Sequence, residues 1–304
     1  MTPSAGCSPA MIKRTIEISG QGNHLSVSDG SLLIRQGGEE VGRVPLEDLG
    51  VLVLDAPTTT YTHSVITECL AAGAVIIPCG RDHHPCGLFL PQENSLLTER
   101  LAAQTAAPLP LKKGLWKQLV QAKIRNQAGA LAADAPERGY LANLIPAVRS
   151  GDPTNVEAQA ARIYWPALLG KDFRRSPEGA PPNCLLNYGY MVLRSCVARA
   201  VCGAGLHPSL GLHHHNRYNP FCLADDLLEP LRPLVDVQVR RLAAGGVTEI
   251  NRDSKVQLLS VLAATVDVGG EKGPLMVALE RVTASLVRCY QGEQKKLELP
   301  RLWN

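Results

Sequence analysis

Aromatic side chains are scarce in this 304-residue chain, at 4% of the total. The core must therefore be built from Leu, Val, Ile and Ala, and stacking surfaces are few. An excess of one charge is missing too: 31 Lys and Arg face 28 Asp and Glu, a net charge of +3. That balance diagnoses no nucleic-acid partner unless a local cluster supplies one. No apolar run reaches the roughly 18 residues of a membrane span, and the amino terminus lacks the basic-then-apolar layout of a signal peptide. A cytoplasmic protein with no membrane partner is the expectation. The nine cysteines scatter from Cys7 to Cys289 without a C-x-x-C pair, which reads as reduced, packing thiols. A G-x-x-x-x-G-K-[ST] loop is also absent, so nucleotide hydrolysis is not expected.

What is present divides in two. From Thr15 to Leu90 short β-branched runs ("TIEIS", "HLSVS", "SLLIR", "EVGRV", "VLVL", "AVIIP", "GLFLP") alternate with the turn pairs Asp29-Gly30 and Gly37-Gly38, the signature of a meander or sandwich. One helix interrupts them near Ser64 to Ala72. Beyond residue 96 the pattern is helical, near 97–107, 111–133, 136–149, 154–169, 182–203, 221–243, 251–265 and 273–291, with Pro, Gly or Asn punctuation between. Leu186, Tyr190, Leu193, Val197 and Val201 fall on one stripe and mark a central core helix. The expected architecture is α+β: a disordered extension over 1–10, a small β-sandwich-like domain over 11–91, and a larger all-α catalytic domain over 92–304.

Chemistry concentrates in two stretches. In "GDPTNVEAQAARIYWPALLG" the pair Asp152-Pro153 suits an N-cap and first helical position. Glu157 then shares a stripe with Ala161, Tyr164 and Leu168, a face that is partly buried. A buried carboxylate needs a cation, donors or a proton, and periodicity alone favours a structural salt bridge over a metal or catalytic role. The second stretch, "GLHPSLGLHHHNRYNPFCLADDLLEPLRPLVD", places His213, His214 and His215 before a helix carrying Asp225, Asp226 and Glu229. Glu229 lies one turn from both aspartates, so the three carboxylates can converge. Pro230 and Pro233 remove donors to the carbonyls of Asp226 and Glu229, which predicts a kink among the acids. A solvated acidic face and a polar histidine loop account for these residues equally well. The mixture of carboxylates with imidazole favours Mg2+ or Mn2+ over zinc, and hence phosphate chemistry.

Three stretches together, "NVEAQAARIYW", "LNYGYMVLRSCVARAV" and "GLHPSLGLHHHNRYNPFCLADDLLEPLRPLVD", resemble the CRISPR-associated integrase of spacer acquisition, over nearly the whole chain from Met11. The wording "HHNRYN…LADDLLEP" and "LWKQLVQAKIRNQA" looks most like the form found beside the single-protein RNA-guided effector of type II systems. The resemblance places the family's E-x-x-A-A glutamate on Glu157, with Ala160 and Ala161 in the small positions. It places the family's histidine on His214, its second acidic ligand on Glu229, and a supporting acid on Asp226. Where some relatives carry aspartate in the last ligand position, this chain has glutamate. The resemblance further implies a homodimer that joins a small second adaptation protein, two dimers flanking one dimer of that partner. The implied reaction is a metal-dependent transesterification, in which the 3′-hydroxyl of a captured DNA duplex attacks the edge of a CRISPR repeat.

Basic residues that could hold DNA are spread over several segments. Lys123 lies on the long helix with Lys112, Lys113, Lys117 and Arg125, while Lys171, Arg174 and Arg175 form a short cluster. Arg217 and Arg232 flank the acids, where a phosphate must lie. Tyr164, Tyr188 and Tyr190 read as core residues with bonded hydroxyls. "RDHHPCG", at 81–87, fits no common zinc spacing and reads as a structured turn. A generic metal phosphodiesterase and a non-catalytic DNA-binding scaffold are the competing readings.

Overall fold

The computed structural model describes residues 13–81, 83, 85–91 and 96–303; the expected extension over 1–10 lies outside them. Strands β1 (Arg14–Ile18), β2 (Asn23–Ser28), β3 (Ser31–Gln36), β4 (Glu39–Pro45), β5 (Leu49–Leu54) and β6 (Thr60–Tyr61) precede helix α1 (His63–Ala71) and strand β7 (Val75–Pro78). The antiparallel meander β2–β3–β4 forms where the turn pairs predicted it, with β6 added parallel to β2. Asp29 and Gly30 both take positive φ, 52° and 66°, as a two-residue primed turn demands.

The remaining strands depart from a simple sandwich. β1, β5 and β7 make a separate, wholly parallel sheet in the order β1-β5-β7. Parallel strands need covering on both faces, which is why "LGVLVL" is a nearly continuous apolar run with five of its six residues buried. Leu49, Leu52 and Ile76 face a small core with Leu25, Leu32, Val65 and Cys69. Val51, Val53, Val75 and Ile77 belong instead to the large core of the helices. "GLFLP" forms no strand; Phe89 and Pro85 make only isolated bridges to Ile76 and Cys79.

Helices α2 (Leu97–Ala106), α3 (Leu109–Ala130), α4 (Pro136–Leu144), α5 (Val156–Leu169), α6 (Asn183–Gly203), α7 (Cys222–Leu228), α8 (Arg232–Ala244) and α9 (Arg252–Leu259) follow. The predicted α6 stripe is buried at all five positions. At Gly189 an added Cβ would come within 2.4 Å of a Val235 methyl, so this glycine lets α6 and α8 cross in close contact.

The helical region is not all-α. A hairpin of β8 (Thr265–Val268) and β9 (Glu271–Pro274) precedes α10 (Leu275–Tyr290), and β10 (Pro300–Arg301) pairs with β8. This hairpin replaces the end of one expected helix and the start of the next. Its signal was legible as "TVDVGGEKGP": a β-branched run ending in Gly269-Gly270, both at positive φ.

Candidate metal centre

Helix α5 begins three residues later than the Asp152-Pro153 pair suggests. Asp152 adopts φ 47°, and its carboxylate accepts from the backbone N–H of Val156 (2.9 Å) and Glu157 (3.0 Å). Asn155 is the true N-cap, accepting from the Ala158 N–H at 3.1 Å. Asp152 thus serves the helix from outside, satisfying first-turn donors that would otherwise be orphaned. Glu157 therefore stands in the first turn, beside the buried Val156 and Ala160.

The second acid comes from a break in the chain. α7 ends at Leu228 and α8 begins at Arg232; Glu229–Leu231 is a short 3-10 turn, the kink that Pro230 and Pro233 predict. The Pro230 carbonyl accepts from the Asn126 side chain of α3 at 2.8 Å. Glu229 points to α3, where the Lys123 Nζ lies 2.5 Å from Glu229 Oε2 and 2.5 Å from Glu157 Oε1. The other Glu229 oxygen accepts from Arg232 Nε at 2.9 Å. Burial alone would raise the Glu229 pKa, but Arg232 and Lys123 outweigh it and hold the carboxyl down at about 2. Burial likewise opposes the Lys123 ammonium, and the two glutamates prevail, leaving its pKa raised.

Asp226 organises the histidine loop. Fully buried, it accepts from the backbone N–H of Leu212 (2.6 Å), His213 (3.0 Å) and His214 (3.2 Å). Its Oδ1 also lies 2.6 Å from His214 Nδ1. That bond, working against burial, raises the His214 pKa. It engages Nδ1 and leaves Nε2 as the ring nitrogen turned from Asp226. Gly211 is required for this approach, since a Cβ there would meet the His214 carbonyl at 2.5 Å. His213 stacks on the Trp116 indole at 4.3 Å between centroids and 3° between planes, with His214 edge-on to the same ring. Trp116 and Lys123 lie seven residues apart on α3, so one helix face supports both the loop and the acids.

Asp225 does not converge with its neighbours. It is bound by Arg194 (2.9 Å) and Asn219 (2.7 Å) on the far side of α7. The structure thus gathers Glu157 and Glu229 around one cation and sets His214 on Asp226. Among the described residues, no three His, Cys, Asp or Glu side chains already stand close enough together to hold a metal ion. The donor set nonetheless suits a hard cation: two carboxylates that already share positive charge, and an imidazole oriented through its other nitrogen.

The candidate DNA contacts separate by environment. Lys123 is spent on the two glutamates, with 12% of its side chain exposed. Arg175 fastens Asn183 and Asn187 (3.0 and 2.9 Å), and Arg232 lies over the Tyr190 ring at 4.5 Å while holding Glu229. Lys171, Arg174 and Arg217 are exposed, and Arg217 lies over the Tyr218 ring at 4.6 Å. The tyrosines are core residues as expected, with one departure. The Tyr164 hydroxyl (2.9 Å) and that of Tyr190 donate to the buried Asp236, whereas the Tyr188 hydroxyl has no partner among the described residues. Trp116 and Asp236 lie inside the quoted stretches and Asp152 in the cap pair, but no spacing in the sequence assigns them these partners; only the fold does.

Near 81–87, the His83 Nδ1 lies 3.0 Å from Asp55, which also receives the Lys255 ammonium at 2.5 Å. That is the structured turn expected, with Asp82 and His84 outside the described residues.

A sequence profile described as "CRISPR associated protein Cas1" matches residues 16–259, a span that contains every residue of this centre. The chain belongs to the Cas1 family. It is 36% identical over 289 residues to the CRISPR-associated endonuclease Cas1 of Neisseria meningitidis, covering 92% of this chain and 94% of that protein. The fold is similar to that of a solved structure described as a casposase bound to integration product, with a TM-score of 0.78 at 18% identity and 94% and 92% of the two chains covered. It also matches part of a Cas6-RT-Cas1–Cas2 complex, with a TM-score of 0.73 at 18% identity over 99% of this chain and 37% of the other. Likeness at that identity speaks to fold alone.

Proposed function

We propose that this Cas1-family chain is a metal-dependent DNA endonuclease and integrase of CRISPR adaptation, working through Glu157, His214 and Glu229. One observation carries the reading: acids from two separate elements, 72 residues apart, share a single cation beside an imidazole fixed by Asp226. A salt bridge alone explains the glutamates but not the oriented, half-exposed histidine.

Glu157, Glu229 and His214 Nε2 would hold Mg2+ or Mn2+, which when bound lowers the pKa of an attacking 3′-hydroxyl and offsets charge on the crowded phosphorus. The chain's own residues prepare that position. Arg232 fixes one oxygen of Glu229, Asp226 fixes the imidazole, and the Asp152 cap fixes the first turn that carries Glu157. The reaction is transesterification: a DNA 3′-oxygen bonds to a repeat phosphorus, the bridging P–O bond breaks, and the displaced 3′-oxygen takes up a proton. Lys171, Arg174 and Arg217 are the exposed cations available for the DNA backbone. The Cas6-RT-Cas1–Cas2 complex supports association with a second adaptation protein; homodimers acting on double-stranded DNA belong to the same proposal.

The test combines purified protein, Mg2+ or Mn2+, a short duplex with free 3′-hydroxyls, and a supercoiled plasmid bearing a repeat array. Joined and nicked products are expected to vanish in chelator and in Glu157→Gln. Products that persist in that variant overturn the site; DNA binding without strand transfer supports a scaffold instead.

A further inference from the structure

Lys123 occupies the centre of the acid pair, yet neither the family motifs nor the exposed basic residues account for it. Its ammonium contacts Glu157 Oε1 and Glu229 Oε2 at 2.5 Å each. Glu229 has no spare oxygen, because Arg232 takes Oε1 at 2.9 Å. Side-chain exposures of 12% for Lys123 and 5% for Glu229 leave little water to screen either charge. Of the two cations, Arg232 is anchored over the Tyr190 ring at 4.5 Å, whereas the lysine is a compact charge on a flexible four-carbon stem.

We propose that the Lys123 ammonium competes with a divalent cation for Glu157 and Glu229: it holds the two acids together, yields their oxygens when the cation binds, and so sets how tightly the cation is held. The proposal rests on the metal-centre reading above. Without the ammonium, two carboxylates within 5 Å of one another would repel and drift apart. With it, a divalent ion must displace a like charge from the oxygens it needs. Lys123 is therefore a positioning residue, holding the two acids together at the expense of metal affinity.

Two measurements test this without recourse to catalysis. Calorimetric titration with Mn2+ compares wild type, Lys123→Met, Lys123→Gln and Glu157→Gln. The neutral variants are expected to bind Mn2+ about tenfold more tightly, a decade being about 1.4 kcal/mol of competition removed. In chelator they should melt lower than wild type, and in saturating Mn2+ that gap should close. Wild-type protein supplies the second measurement, amine-reactive labelling of Lys123 followed by mass spectrometry. Labelling should be slow in chelator and faster in saturating Mg2+, as the ammonium leaves the acids. Wild-type binding that Glu157→Gln abolishes, with unchanged or weaker binding by both neutral variants, overturns the Lys123 proposal alone. Labelling that does not rise with Mg2+ overturns it even if the variants fail to fold. Failure of wild type to bind Mn2+ at all overturns the metal centre with it.

Discussion

Asp226 and His214 touch the same bond from opposite sides, but they are not equivalent in cost. Asp226→Ala strips three backbone donors and a ring nitrogen of their acceptor at a fully buried position. A loss of about 3 kcal/mol is expected in denaturant unfolding, whereas His214→Ala, at the exposed end, should cost under about 1 kcal/mol. Equal losses would mean that the loop is held some other way. Asp236 behaves differently: burial pushes its carboxyl up to about 7 despite the bonds from Tyr190 and Tyr164. A native pKa above the unfolded value of 3.8 means that the folded state binds the proton more tightly. Stability is therefore retained at acid pH and falls as pH rises from about 4 to about 7, by up to about 4 kcal/mol for three units. Asp236→Asn should remove that decline, read as thermal midpoints across pH 4 to 8; a parallel decline in the variant would assign it elsewhere. Glu157, His214 and Glu229 are proposed on family motifs, because helical spacing alone cannot choose His214 among three adjacent histidines. Asp152 was misread as a cap for a local reason: its carboxylate reaches forward four and five residues to the helix donors, a contact that residue preferences at single positions do not encode.

Among the elements, the α7–α8 break and the α6–α8 crossing decide how the acids are presented. Prolines at 230 and 233 made the break readable from sequence, and the structure adds its consequence: the 3-10 turn aims Glu229 at α3 while Asp225 turns away to Arg194. The crossing was not readable, because nothing in "NYGYM" says which helix Gly189 meets. Gly189→Ala should destabilise by about 1 to 3 kcal/mol through overpacking against Val235. Val235→Ala in the same chain should recover part of that loss, measured as a double-mutant cycle; additive losses would show that the two helices are not in contact there. The Gly269-Gly270 turn signal of the β8–β9 hairpin was overridden by the apolar helical periods on either side, because each strand has four residues, too few to show a clear alternation of its own.

Across the whole molecule, the strand-rich and helical regions are joined by buried charge as well as by apolar surface. Lys255 and Asp55, 200 residues apart and each with 4% of its side chain exposed, form one ion pair. Lys255→Met leaves the buried Asp55 with the half-exposed His83 as its remaining partner, so it should cost about 3 kcal/mol, while the double change to apolar residues should cost much less. Chemical denaturation of the three variants checks both statements. The parallel sheet carries the apolar part of the same union, with β5 lending alternate side chains to two cores. Its two-sided burial ties the packing of each region to that of the other. A strand-rich segment transplanted from a distant relative would bring its own Val51, Val53, Val75 and Ile77 equivalents to a foreign helical floor, and would misfit there by whole side chains. A chimera that exchanges only one of the two regions should therefore unfold at lower denaturant than either parent.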